Sequence, residues 1–154
     1  MERREFLQCG GCFLITLSTF GLGGETIAAL PVSMTTGAGD AGERRYAVPA
    51  TDSVNIDRQA SVIVIRNQNR IYAFALSCPH ENAAVKWLPK DHRFQCSKHD
   101  SKYQPNGTYT SGRATRNLDR FVVRKEDTNI VVDLQHWFES DKNPAGWDSA
   151  FVAV

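Results

Sequence analysis

Two short Cys/His pairs, Cys78-Pro79-His80 and Cys96-Ser97-Lys98-His99, stand fifteen residues apart in a chain of 154. Each pair follows a run rich in β-branched and aromatic residues, so each is expected on a loop at the end of a strand, and the two loops can meet around one metal centre. Two thiolates and two imidazoles suit tetrahedral zinc. Zinc sites, however, usually group Cys with Cys and His with His, whereas here each loop supplies one of each. In a [2Fe–2S] cluster with mixed ligands the thiolates hold one iron and the imidazoles the other, so each loop would reach across the cluster. The adjacent histidines also argue against a disulfide between Cys78 and Cys96.

The surrounding pattern is one of short strands and frequent turns. Arg44 to Val48 is a first strand; Ser61 to Arg66 and Arg70 to Leu76 flank the polar Asn67-Gln68-Asn69 as a hairpin. Val85 to Leu88 and Arg93 to Gln95 flank Pro89 to His92 in the same way. Asn106-Gly107 marks a tight turn between Tyr103 and Tyr109. Phe121 to Val123 and Ile130 to Leu134 form a last hairpin around Lys125 to Asn129. No helical periodicity rivals this pattern, and the expected class is all-β, a small antiparallel sandwich or barrel. Residues 44–134 form the domain. The tail 135–154, with Trp137, Phe138, Trp147 and Phe151, is expected to pack over a sheet edge or face.

C-x-H, about fifteen to seventeen residues, then C-x-x-H resembles the signature of the Rieske iron–sulfur family. The resemblance continues through Ser101, Tyr103, Gly107 and Gly112-Arg113-Ala114, and spans roughly Tyr46 to Leu134. It implies a three-layer antiparallel β-sandwich with a cluster-binding subdomain and one [2Fe–2S] cluster per chain. It implies that Cys78 and Cys96 hold the inner iron and that His80 and His99 hold the outer, reducible one. In high-potential relatives, hydroxyls at the positions of Ser101 and Tyr103 donate to cluster sulfurs, which favours the more negative reduced state and raises the potential. Quinol-oxidising bc-type relatives brace the two loops with a disulfide; Ala83 and Lys98 occupy the matching positions here, so that brace cannot form. Arg113 stands where such relatives often carry proline. His92 and His136 are read as solvated bystanders.

The N-terminus reads as an address. Met1-Glu2-Arg3-Arg4-Glu5-Phe6-Leu7 resembles a twin-arginine export signal, and no charge follows from Phe6 to Gly24. Residues 1–30 are therefore expected to be an export signal or an inner-membrane anchor, and 31–43, rich in Ser, Thr, Gly and Ala, a linker. Cys9-Gly10-Gly11-Cys12 lacks the strand–helix setting that lowers a thiol pKa, and is not expected to do chemistry.

A formal net charge of +1 with scattered basic residues leaves no footprint for nucleic acid. The expected function is one-electron transfer on the periplasmic side, in a subunit or partner of a respiratory oxidoreductase rather than a catalytic chain by itself. The resemblance implies a redox partner such as a cytochrome b module, a c-type cytochrome or a molybdenum oxidoreductase subunit. A free-standing Rieske ferredoxin supplying an oxygenase is the alternative, and a structural zinc domain the third reading. The terminal oxygenase itself is not expected, because about twenty residues and the single His136 follow the last predicted strand, too few for a mononuclear iron domain.

Overall fold

A computed structural model describes residues 42–154. The twin-arginine segment, Cys9, Cys12 and almost all of the linker lie outside the described residues. The strands are β1 (Glu43–Ala47), β2 (Ser53–Asp57), β3 (Val62–Asn67), β4 (Arg70–Ala75), β5 (Val85–Leu88), β6 (Arg93–Cys96), β7 (Lys102–Tyr103), β8 (Tyr109–Ser111), β9 (Arg120–Glu126) and β10 (Asn129–Phe138). A short helix α1 (Pro144–Ser149) and β11 (Val152–Ala153) follow. All pairings are antiparallel. One sheet runs β1-β10-β9-β4-β3-β2, with β11 on β4, and a second runs β5-β6-β7-β8.

Alternation along β3 and β4 explains the layering. Ile63, Ile65, Tyr72 and Phe74 face one core, shared with Val85, Phe94 and Tyr103 of the second sheet. Val62, Val64, Ile71 and Ala73 face another, shared with Phe121, Ile130 and Val132. Strands apolar on both faces are buried on both faces. The β3–β4 hairpin is therefore the middle of three layers, with β1, β9 and β10 on one side and β5 to β8 on the other. The large sheet curls until its two ends meet: Tyr46 on β1 donates its hydroxyl to Asp57 on β2 at 2.9 Å. That bond and burial push the Tyr46 phenol well above its ordinary pKa, burial being the larger cause.

Two elements escape the pattern of the sequence. Strand β2 was not expected, because Ser53, Asn55 and Asp57 alternate with only two apolar residues and carry little β propensity. It forms because Val54 and Ile56 pack on the first core. The boundary drawn after Leu134 falls inside β10, which bulges between Asp133 and Trp137 and runs on to Phe138. Beyond it Asn143 caps α1, accepting from the Gly146 N–H at 2.9 Å, and Pro144 opens the helix where no N–H is needed. Trp147 is buried and donates its indole N–H to the Leu118 carbonyl at 2.7 Å.

Candidate metal centre

Both Cys/His pairs sit on loops built with one device. In the first, the Cys78 N–H donates to the Ala83 carbonyl at 2.8 Å; in the second, the Cys96 N–H donates to the Ser101 carbonyl at 2.8 Å. Each loop is thus closed by a bond from its cysteine to the fifth residue on. In each, the fourth residue after the cysteine turns left-handed: Asn82 at φ +53° and Asp100 at φ +55°. Asn and Asp tolerate that conformation better than other side-chain-bearing residues. The loops are joined at their bases, where Ser77 bridges Ala84, Val85 pairs with Cys96 and the Ser97 N–H donates to the Ala84 carbonyl at 3.0 Å.

This arrangement brings all four candidate donors to one tip. Cys78 and Cys96 are buried in the first core and neither is in a disulfide. His80 and His99 stand edge to face, ring centroids 4.9 Å apart, with their Nδ1 atoms turned toward each other at 3.4 Å. Their side chains are 26 % and 13 % exposed, so the imidazoles lie at the surface while the thiols lie beneath. A buried thiol pair and a more exposed imidazole pair make a donor set that fits a [2Fe–2S] cluster: neither thiol is in a disulfide, and the two Nδ1 atoms lie close enough to share one iron.

The hydroxyl positions are likewise drawn in. The Tyr103 hydroxyl lies 3.1 Å from the Cys78 Sγ. Burial pushes the Tyr103 phenol far above its usual range, the contact with Cys78 adds to this, and a hydrogen bond with Ser101 works the other way. Either group can be the donor in that contact, and a cysteine bound to iron leaves only the phenol to donate. Ser101, fully buried, accepts from the N–H groups of Arg113 and Ala114 at 3.1 and 3.0 Å, and so ties a third loop against the second. Gly112 is required there: its φ is +113°, and a Cβ would stand 2.4 Å from the Ser101 Cα. The Arg113 side chain is exposed. His136 is exposed and bonds Asp133, while His92 stacks edge-on to Trp87 in the far turn of the β5–β6 hairpin.

Sequence reasoning missed Glu81. Its carboxylate bridges the two loops, with Oε2 3.1 Å from the Lys98 Nζ and 3.4 Å from the His99 Nε2. The Lys98 ammonium holds this carboxyl below the usual range. One position of the missing disulfide is thus half of an ionic tie. The signal was an acid directly after His80 and a base directly before His99, opposite charges on paired loops.

With the site described, known proteins can be set beside it. The family model for the Rieske [2Fe-2S] domain matches residues 43–130. The cytochrome b6-f complex iron-sulfur subunit 3 of Nostoc sp. (strain PCC 7120) is 34 % identical over 65 residues, which are 42 % of this chain and 35 % of that one. Subunit 1 of the same organism is 28 % identical over 81 residues, 51 % of this chain and 44 % of that one. The chain therefore spans less than half the length of these relatives. A solved plasma membrane Rieske protein, PetC3 from Synechocystis PCC 6803, is 24 % identical with a TM-score of 0.45, covering 53 % of this chain and 85 % of that one. The family match reaches from β1 into the start of β10 and takes in both Cys/His loops, so this chain belongs to the Rieske [2Fe-2S] domain family and its cofactor is a [2Fe–2S] cluster.

Proposed function

We propose that Cys78, Cys96, His80 and His99 hold the cluster, the thiols on one iron and the imidazoles on the other, and that the chain is a one-electron carrier. The observation that carries this reading is that two loops joined at their bases each supply a buried thiol and an imidazole, with the two Nδ1 atoms 3.4 Å apart. Bound there, the cluster supplies a reversible one-electron couple. The chain's own residues shield the sulfurs, donate to Cys78 from Tyr103 and leave the imidazole edges at the surface for a partner.

The carrier works on the periplasmic side as a subunit or partner of a quinol- or metalloenzyme-linked respiratory complex, exported through Arg3-Arg4. Its similarity to proteins named as cytochrome b6-f iron-sulfur subunits supports a cytochrome-containing complex. No helix among the described residues is long and apolar enough to cross a membrane.

Two measurements test this. His99→Ala should abolish the reduced-state EPR signal of a mixed-ligand centre; a variant that keeps the wild-type signal overturns the ligand assignment. Protein-film voltammetry of the wild type should give a positive potential within the Rieske span of about −150 to +300 mV. Tyr103→Phe removes one donor worth about 1 kcal/mol to the reduced state, a fall of roughly 40 mV. A wild-type value near the low end would favour the ferredoxin reading, and an unchanged Tyr103→Phe would remove Tyr103 from the account.

A further inference from the structure

At the end of the molecule opposite the Cys/His loops, the β3–β4 turn, the β5–β6 turn and the turn after β7 enclose a concavity of about 470 Å³. Its wall is formed by Asn67, Gln68, Arg70, Tyr72, His92 and the segment Gln104–Asn106. Four carboxamide side chains, one guanidinium, one imidazole and one phenol line it, and no carboxylate does.

The charge behind this wall is unusual. Arg120 is 3 % exposed and has no carboxylate partner among the described residues. Its Nη2 donates to the Asn106 carbonyl at 2.7 Å and its Nη1 to the Trp147 carbonyl. The guanidinium lies 3.4 Å over the Trp147 ring and 4.6 Å from the Tyr72 ring centre, and its Nε has no acceptor. Burial lowers its pKa to about 10, which leaves it charged at neutral pH. Asn106 and Tyr72, the two residues it holds, are themselves part of the wall. Arg70 sits over the Phe151 ring at 4.5 Å, also without an ion pair, and the Arg70 and Arg120 charges repel one another. Of the acids nearby, Asp148 acts on Arg120 from outside the concavity, Asp52 accepts from the Gln68 N–H at 3.2 Å and lines the adjoining cleft, and Asp91, next to His92 in the chain, is ion-paired with Arg93 at 2.8 Å.

Buried charge is normally paired, and a concave wall of one sign with low-dielectric backing focuses its potential outward. We propose that this concavity binds a small organic oxyanion, a phosphate monoester or hydroxylated carboxylate. The anionic group meets Arg70 and His92 in the field of Arg120, and the carboxamides receive the hydroxyls. The volume favours a molecule of that size over a bare inorganic ion. The site is remote from the cluster loops and does not depend on the ligand assignment there.

The test uses the full-length holoprotein at constant ionic strength. Thermal melts are followed against chloride, inorganic phosphate, glucose 6-phosphate and glucose. A saturable rise in Tm is expected with glucose 6-phosphate, a weaker one with phosphate, and none with glucose beyond its effect on any protein. Arg70→Gln, at the exposed start of β4, and His92→Gln, in the exposed β5–β6 turn, should each weaken the glucose 6-phosphate midpoint about tenfold. Visible absorbance of the cluster should be unchanged in both, which separates this outcome from failure of the metal centre. No saturable response above chloride, an equal response to glucose, or a response the two substitutions leave untouched overturns the proposal.

Discussion

In the large sheet, β1, β2, β3 and β4 each pair with a neighbour over five or six consecutive residues, and the strands bury both faces of one hairpin. In the small sheet the ladders are four, two and two pairs long, and loops with left-handed residues at Asn82, Asp100 and Gly112 occupy much of the chain. The first region gathers enough apolar area to hold itself. The second has few ladder bonds and a half-share of one core, and it carries the four proposed cluster ligands. Small sheets with short strands are marginal alone, so a cluster held by those side chains would add to its order.

The largest effect should come from removing a donor. Cys96→Ala should lose the cluster, and hydrogen-exchange protection should then collapse across 85–111 while 62–75 and 121–133 stay protected. Equal loss in both regions would erase the distinction. Next comes the residue that joins them. Phe74 is fully buried in the middle layer, packs edge-on against Phe94 at 5.8 Å, and fits against Gly107 so closely that a Cβ there would lie 2.6 Å from its ring. Phe74→Ala should cost about 3–5 kcal/mol in urea unfolding and speed cluster loss. Ile130→Ala, in the other core, should cost about 2–5 kcal/mol without touching the cluster below its unfolding transition. If both release iron equally, the cores are not separable.

A smaller effect lies where the large sheet meets the first loop. Asp119 accepts from Arg116 at 3.1 Å through Oδ2, while its buried Oδ1 has no partner. Burial raises its pKa from 3.8 to about 6, against the pull of Arg116. The folded state therefore binds this proton more tightly than the unfolded chain, and stability falls as pH rises from about 4 through 6 and stays lowered above. The term is worth roughly 1–3 kcal/mol. Asp119→Asn should flatten that fall, so urea midpoints of wild type and variant should diverge between pH 4 and 7 in the variant's favour. The smallest effect is expected at Lys98, whose side chain is 65 % exposed. Lys98→Ala should leave Tm unmoved at physiological salt and lower it slightly only at low ionic strength.

What the sequence made legible followed from chemistry with strict spacing. Cys78, His80, Cys96 and His99 could be grouped because each pair lies within one loop, and the fold brings those two loops together. The runs at 62–67 and 70–75 announced strands because β-branched residues fill both faces of the first, and Ile71, Tyr72, Ala73 and Phe74 keep both faces of the second apolar. Strand β2 was hidden because its neighbours, not its composition, make it a strand. Arg120 was hidden for a deeper reason. Its charge is accommodated by the carbonyls of Asn106 and Trp147 and by three aromatic rings, partners up to 48 residues away that no local pattern foretells. Glu81 was overlooked because a lone acid on a loop normally means only a solvated surface.

The tie between Glu81 and Lys98 also bears on when the tip can take shape. A disulfide at that place would need an oxidant before the loops were joined, and thiols in the surroundings could cut it again. An ion pair needs neither. It closes as soon as the two loops approach, and free thiols do not act on it. Little stability rests on it, but a tip closed in this way leaves the Cys78 and Cys96 thiols unoxidised and available for iron wherever the loops first meet.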